Sequence, residues 1–279
     1  IFSAFQSDPC RIPRKPAVFP RGITGAWQAA VNVSLYQAAA AMNGNARWQE
    51  AISENLASAS IPGFKKHNLS FDSIQAGVMP QANLDPTMHF TLPRATKTTS
   101  FAAGELRSTG VNTDVAIEGA GFFELQLPNG ATAYTRDGEF QISPLGQLTN
   151  KQGSLVLGES GPIQLDHSNP GSLAISATGE VSQAGEVKGK LRIVDFNQPN
   201  LLTQISGGCF MASNNPNLQS TEVSQPAVRQ GFLEAANTTP VTEMASLISV
   251  MRSFEANQRV IQLQDERMGR AISELGNPN

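Results

Sequence analysis

Cysteine is scarce in this chain of 279 residues, and its scarcity argues against two classes of protein. With only Cys10 and Cys209, the sequence lacks the cysteines of a small secreted domain held together by disulfides. A structural zinc site would need ligands that lie closer together in the sequence, and the histidines at positions 67, 89 and 167 are scattered as well. The sequence therefore predicts two free thiols, no metal and no cofactor.

Long apolar runs and concentrated basic charge are also missing. No segment approaches the roughly 18 consecutive apolar residues that a membrane-spanning helix requires. Charged residues make up 15% of the chain, the net charge is −3, and no basic patch follows residue 30. We therefore expect neither membrane insertion nor a nucleic-acid partner.

Recognisable catalytic motifs are absent too. Residues 158–161 lack the spacing of a nucleophile elbow, and residues 119–121 lack the third glycine of a dinucleotide-binding loop. We therefore expect no catalytic residues. The alternative of a β-domain hydrolase acting on cell-wall glycan stays open through Glu118 or Asp137, which would need a carboxylate partner about 5–9.5 Å away in a cleft. A surface adhesin is a third class, and it would tolerate the loss of residues 240–279.

What the chain does contain is a long heptad pattern between residues 240 and 275. Apolar residues recur there at alternating steps of three and four, a period typical of coiled coils. Thr239 can cap such a helix, Pro240 suits its first turn and Gly276 marks its end. A helix of about 54 Å with a single apolar seam needs a partner helix. The seam consists of Met244, Leu247, Met251, Phe254, Gln258, Ile261, Asp265, Met268, Ile272 and Leu275.

A second heptad pattern lies near the other end of the chain. Residues 1–30 hold four prolines and are predicted to be an irregular extension, and one hypothesis places the natural initiator at Val31. Residues 31–66 are predicted to carry a helix that stops before Pro62. Its seam consists of Leu35, Ala38, Met42, Asn45, Gln49, Ile52, Leu56 and Ala59. Two seams at opposite ends predict that the helices pair as a discontinuous coiled coil.

Between the two patterns, helical periodicity disappears. Residues 67–104 have weak periodicity and three prolines, which predicts an extended connector with at most short strands. Residues 105–235 alternate between polar and apolar side chains and contain turn signals, such as the one at residues 128–130. The predicted fold class is α+β: a central all-β outer domain at 105–235, with the C-terminal helical segment at 236–279.

Five short motifs, in order along the chain, are more specific than any periodicity. Residues 55–65 read Asn-Leu-Ala-Ser-Ala-Ser-Ile-Pro-Gly-Phe-Lys, residues 113–123 end in Gly-Ala-Gly-Phe-Phe, and residues 134–140 read Tyr-Thr-Arg-Asp-Gly-Glu-Phe. Residues 234–244 and 254–257 lie around the start and the middle of the long C-terminal helix. Together these motifs resemble those of the flagellar basal-body rod and hook family.

The resemblance runs from about Val31 to Leu275 and implies a structural protein. In that family the terminal helices pair into an inner tube around the export channel, and the β domain forms the outer layer. The resemblance implies polymerisation into a hollow helical tube that transmits torque. The assembly interface would comprise Leu35, Met42, Ile52, Leu56, Met244, Leu247, Met251, Phe254, Ile261, Met268, Ile272 and Leu275.

The same resemblance implies partners and a location. The expected partners are further copies of the chain, other rod and hook subunits and the flagellar export apparatus. The expected location is the periplasm-spanning rod of the basal body, reached by export without a cleaved signal peptide. Chain length favours a rod subunit over a hook protein, and the short connector favours the proximal rod. A distal rod or hook-type subunit of the same family stays open.

Overall fold

The computed structural model describes residues 23–78, 89–166, 173–213 and 215–276. Helix α1 spans Ile23–Ala57 and helix α2 spans Pro240–Gly276. Between them the described residues form mainly short strands, so the predicted α+β class is confirmed. Residues 1–22, which belong to the predicted irregular extension, lie outside the described residues.

Helix α1 begins earlier than predicted. Residues 23–30 were assigned to an irregular extension, but they are helical and continue into the predicted helical segment without a break. The physical reason is local, because no proline separates Pro20 from Pro62 and nothing else forces the helix to start as late as Val31. Ala29 and Ala30, both strong helix formers, extend it further towards the N-terminus.

Helix α2 has the ends predicted for it. Pro240 is its first residue and Gly276 its last, and the Glu243 N–H donates to the Thr239 carbonyl at 3.1 Å. The Thr239 hydroxyl does not cap a backbone N–H among the described contacts, since it lies 2.7 Å from the Thr242 hydroxyl.

The segment predicted as an extended connector is a β-hairpin. Strand β1 (His67–Val78) pairs with β2 (His89–Thr99) in antiparallel register, and their lengths of 12 and 11 residues correct the expectation of at most short strands. Pro93 fits because both strands of a two-stranded ribbon are edge strands, and an edge strand can spare an N–H. Helix α1 packs against the hairpin, where the Trp48 and Phe71 rings meet edge to face with centroids 5.8 Å apart.

The other strands lie between residues 105 and 235. The described part of this segment also contains single-turn 3-10 helices at Pro199–Leu201 and Ser206–Gly208. The strands are β3 (Leu106–Ser108), β4 (Val115–Glu118), β5 (Phe122–Gln126), β6 (Thr132–Thr135), β7 (Phe140–Ile142), β8 (Leu148–Asn150), β9 (Leu155–Gly158), β10 (Gly161–Pro162), β11 (Leu173–Ile175), β12 (Glu180–Gln183), β13 (Glu186–Lys190), β14 (Ile193–Phe196), β15 (Thr203–Gln204), β16 (Cys209–Met211), β17 (Ser220–Glu222), β18 (Ala227–Gln230) and β19 (Phe232–Glu234).

Antiparallel pairing joins these strands into one large sheet and several small ones. The large sheet has the order β15-β16-β6-β5-β9-β8-β7, with β10 beside β9 and with β14 between β5 and β17. The small sheets are β11-β12-β13, β18-β4 and β19-β3. Because β19 leads directly towards α2, the last small sheet fixes where the C-terminal helix leaves the β domain.

Two adjacent phenylalanines show how the β domain fills its core. Successive side chains of a strand point to opposite faces, so Phe122 and Phe123 enter different hydrophobic clusters. Phe123 packs with Ile193, and Phe122 packs with Phe210. Gly121 has a φ of +119°, and a Cβ there would lie 2.7 Å from Ile193, so this position requires glycine.

Candidate functional site

The two long helices contact each other and run antiparallel. Asn45 Nδ2 donates to Ser253 Oγ at 3.1 Å, and Asn55 Nδ2 donates to Glu243 Oε2 at 3.3 Å. From Asn45 to Asn55 the chain advances ten residues along α1, while the partners on α2 go back ten residues, from Ser253 to Glu243. The two helices therefore keep one antiparallel register between these contacts. On its other side α1 packs against the hairpin, which places α1 between α2 and the hairpin.

All four seam residues predicted on α1 as interface are at least half-buried. Ile52 is fully buried, and Leu35, Met42 and Leu56 are half-buried. The polar seam residue Asn45 is also buried, and its contact with Ser253 gives it a structural role in the register. Gln49, another residue of the predicted seam, is exposed, so the described burial follows the predicted spacing on α1 except at that position.

The seam predicted on α2 is divided by the structure. Leu247, Phe254, Ile261 and Met268 are half-buried, whereas Met244, Met251 and Ile272 are exposed. The side chain of Leu275 lies outside the described part of the structure. Apart from Ser246, the positions of α2 that are at least half-buried form a seam that differs from the predicted one. The two seams have every second residue in common, and each of the other residues lies one position earlier in the observed seam. It consists of Glu243, Leu247, Val250, Phe254, Asn257, Ile261, Gln264 and Met268.

A buried ion cluster joins the helix pair to the β domain. Lys65 Nζ lies 2.6 Å from Glu234 Oε1, and Arg136 Nη1 lies 3.4 Å from Glu234 Oε2. Each of these three side chains is at least nine-tenths buried. Glu234 Oε1 also accepts the Gly104 N–H at 2.8 Å, and Lys65 Nζ donates to the Ala102 carbonyl at 2.9 Å. We call Lys65, Arg136 and Glu234 the buried ion cluster.

Burial sets the protonation behaviour of the cluster. Removal from water lowers the pKa of Lys65 and of Arg136, because it disfavours their charged forms, and the nearby Glu234 carboxylate opposes both shifts. Arg136 also lies over the Phe122 ring, 5.3 Å from its centroid, which adds a cation–π contact. Glu234 is the one acid of the cluster, so removing it would leave two buried cations without their counter-charge, and breaking a buried ion pair in this way costs about 3–5 kcal/mol.

Two glycines allow the backbone to approach the cluster closely. Gly63 has a φ of +68°, and a Cβ there would lie 2.3 Å from the carbonyl carbon of Arg136. Its N–H donates to the Glu234 carbonyl at 2.6 Å. A Cβ at Gly104 would lie 1.9 Å from the Ala235 carbonyl oxygen. Neither site accommodates a side chain without moving the segments that meet there.

Asparagine side chains complete the junction beside the ion cluster. Asn55 Oδ1 accepts the His67 N–H at 2.7 Å, and Asn55 Nδ2 donates to the His67 carbonyl at 2.9 Å. Asn237 Oδ1 accepts the Lys66 N–H at 2.7 Å, and its Nδ2 donates to the Ser100 carbonyl at 2.8 Å. The end of α1, the start of the hairpin and the segment leading into α2 are therefore tied together.

The residues of this junction come from the short sequence motifs, not from the heptad seams. Asn55 and Lys65 belong to the first motif, Arg136 to the Tyr-Thr-Arg-Asp-Gly motif, and Glu234 and Asn237 to the fourth. Periodicity missed all of them as site residues because polar side chains do not contribute to an apolar pattern. The motifs themselves were the available signal, since residues far apart in the sequence meet at one place.

Other kinds of site are not indicated by the described residues. They contain no group of three or more acidic, histidine or cysteine side chains that could hold a metal ion. None of the described helices is both long and apolar enough to cross a membrane. Cys209 is a buried free thiol, as predicted, and burial raises its pKa, while Cys10 lies outside the described residues.

The fold and the junction define a structural class of protein, a β domain with paired terminal helices fixed to it. Comparison with known proteins agrees. Residues 116–183 match the family model described as the flagellar hook protein FlgE/F/G D1 domain, and residues 229–274 match that of the flagellar basal body rod FlgEFG protein C-terminal.

Relatives along most of the chain carry the same description. The flagellar basal-body rod protein FlgF of Mesorhizobium japonicum is 31% identical over 245 residues, which cover 87% of this chain and 98% of the relative. FlgF of Salmonella typhimurium is 30% identical over 248 residues, covering 85% and 96%. The rod protein FlgG of Buchnera aphidicola is 29% identical over 235 residues, covering 78% and 90%.

The chain belongs to the flagellar basal-body rod protein family, so the resemblance seen in its motifs is confirmed. This is a family of structural proteins of the flagellar basal body and not a family of enzymes. The hydrolase alternative is therefore not favoured. Glu118, one of its two candidate residues, is exposed and forms an ion pair with Arg229 at 2.7 Å, and the other, Asp137, is buried.

Proposed function

We propose that this protein is a structural subunit of the flagellar basal-body rod that polymerises through its terminal helices into a hollow helical tube. The observation that carries the proposal is the pairing of α1 with α2, which leaves part of the predicted α2 seam, including Met244 and Met251, exposed on the single chain. An exposed apolar stripe of this kind needs a further partner. We infer that neighbouring subunits supply it and that the pairing is of coiled-coil type.

A rigid link between helices and β domain is what torque transmission needs. The buried ion cluster, together with Asn55 and Asn237, joins the helix pair to the β domain through several short polar contacts. In the proposed tube the helices line the export channel and the β domain forms the outer layer. A load on the outer layer then reaches the inner tube through the junction.

The proposed partners follow from the same assignment. They are further copies of this chain, other rod and hook subunits, and the flagellar export apparatus that delivers the subunit to the periplasm-spanning rod without a cleaved signal peptide. Transport through a narrow channel requires an unfolded chain without disulfides, and the free thiol of Cys209 is compatible with that.

The substitution Met251→Asp tests assembly through the helices. Met251 is exposed on the single chain, so we expect the variant to fold normally but to lose polymerisation, because a charge would enter an apolar contact between subunits. Sedimentation measures polymerisation, and circular dichroism with urea unfolding measures the fold. Ser249→Asp places the same charge at another exposed position of α2 and should polymerise normally. Normal polymerisation of Met251→Asp would contradict the proposed assembly.

A further inference from the structure

Helix α2 carries an exposed apolar stripe on the side away from Val250. It consists of Val241, Met244, Ile248 and Met251, whose exposed fractions are 79%, 52%, 54% and 48%. Their spacing of three, four and three residues places them on one face over about 15 Å of helix. Two of the four are methionines, whose flexible side chains adapt to an irregular surface. We call these four residues the α2 stripe.

A groove on another side of the helix pair offers a matching concave surface. It has a volume of about 420 Å³ and lies between α1 and the hairpin. Its apolar lining includes Ala40, Ile74 and Leu92, and Ile74 is exposed. Gly44 also lines the groove; it is buried, and a Cβ there would lie 2.9 Å from the Phe71 ring, so this glycine lets α1 pack closely on the hairpin at the floor of the groove. We call it the α1–hairpin groove.

Charge complements shape at these two surfaces. Arg47 and Arg94 line the groove, and within the described part of the chain neither has an ion-pair partner. Glu255 lies four residues after Met251, on the same side of α2, and the described residues supply no ion pair for it either. An acid at the end of the stripe thus matches two unpaired guanidinium groups at the groove.

We propose that the α2 stripe of one copy binds in the α1–hairpin groove of the next copy, with Glu255 pairing with Arg47 and Arg94. The contact joins two different surfaces, so each copy still presents one free surface after binding, and a rotation that does not close produces an open helical polymer. This assignment rests on the proposed function, because it requires copies of the chain to associate. It adds which surfaces meet.

Cross-linking between two variants tests the assignment. Full-length chains carrying Met251→Cys are mixed with chains carrying Ile74→Cys, both with Cys10→Ser and with the buried Cys209 retained, and a short bismaleimide is added. We expect a mixed dimer containing one copy of each variant, identified by mass. The matched control replaces Ile74→Cys with Leu145→Cys, an exposed apolar position on the β domain. Cross-linking to position 74 should exceed cross-linking to position 145 by at least about tenfold, and equal yields overturn the assignment.

A charge swap provides an independent measurement. Glu255→Arg and Arg94→Glu should each weaken self-association by about tenfold, and the two together should restore most of it. Unchanged association in both single variants, or no recovery in the double variant, overturns the assignment. If wild-type copies associate but the Met251→Cys and Ile74→Cys variants do not cross-link to each other, this interface is wrong and the proposed function stands. If wild-type copies never associate, self-polymerisation fails and this interface fails with it.

Discussion

Glu234 is the residue on which the junction depends most. Its carboxylate accepts hydrogen bonds from Lys65, Arg136 and the Gly104 backbone, and its own carbonyl accepts the Gly63 N–H. It lies at the end of β19, six residues before α2 begins. One residue therefore connects the β domain with the loop after α1, close to where the chain enters α2, and no periodic pattern in the sequence marks it.

Replacing Glu234 with alanine should destabilise the protein strongly. Lys65 and Arg136 would stay buried without a counter-charge, so we expect the free energy of unfolding to fall by about 3–5 kcal/mol. Urea unfolding of the full chain measures the change. Glu118→Ala is the matched control, because Glu118 also pairs with an arginine but lies at the surface, where loss of the pair should cost at most about 1 kcal/mol. Equal effects in the two variants would show that burial is not what matters.

Asp137 gives the protein a predictable dependence on pH. Burial raises the pKa of its carboxyl group from 3.8 to about 6, and the neighbouring carboxylates Glu139 and Asp114 add to the increase. The folded state therefore binds this proton more tightly than the unfolded state does. Its stabilising contribution is complete below about pH 4 and is lost as the pH rises through 6.

The substitution Asp137→Asn should remove this dependence. The amide oxygen that replaces the carboxylate can still accept the Glu139 N–H, which in the wild type donates to Asp137 Oδ1 at 3.0 Å. We expect the variant to exceed wild type in unfolding free energy by about 1–3 kcal/mol at pH 7.5 and to match it near pH 4. Urea unfolding at both pH values measures the difference, and Asp72→Asn, at an exposed position, should change neither. A constant difference across the range would contradict the raised pKa.

At the scale of elements, what could be predicted depended on whether the signal was local. Pro240 and Gly276 mark the ends of α2 in the sequence itself, and the structure has the helix between them. The hairpin was missed because weak periodicity and three prolines predicted a connector. Of these prolines Pro93 lies within a strand, and a ribbon of two edge strands tolerates it because no further strand pairs with it. How many strands pair in this sheet is a property of the whole fold, and the sequence of the segment alone does not indicate it.

The shifted seam of α2 has a similar explanation. Met251 and Val250 are both apolar, so two heptad frames fit the sequence, and the predicted frame through Met251 is the more apolar of the two. In the structure Val250 is buried and Met251 is exposed. The frame is fixed by two polar contacts, those of Asn45 with Ser253 and of Asn55 with Glu243, which hydrophobic spacing does not represent. Contacts with α1 decide which face of α2 is buried, and this information is not present in the sequence of α2 alone.

At the scale of the whole molecule, the junction and the helix pair have separate roles. Glu234 and Asn237, which complete the junction, both precede α2. The contacts of Asn45 with Ser253 and of Asn55 with Glu243, by contrast, need α2 itself. Folding of the β domain should therefore be separable from formation of the helix pair.

A chain that stops after Thr239 tests this separation. It keeps the buried ion cluster, so we expect the β domain to retain its slow amide exchange around β5, while polymerisation is lost because α2 is gone. Trp48 packs on Phe71 of the hairpin, which the shortened chain keeps, so its fluorescence reports whether α1 stays packed on the hairpin when α2 is gone. Hydrogen exchange, fluorescence and sedimentation supply the three readouts. Polymerisation of the shortened chain would contradict assembly through α2, and unfolding of β5 would show that the two parts fold as one unit.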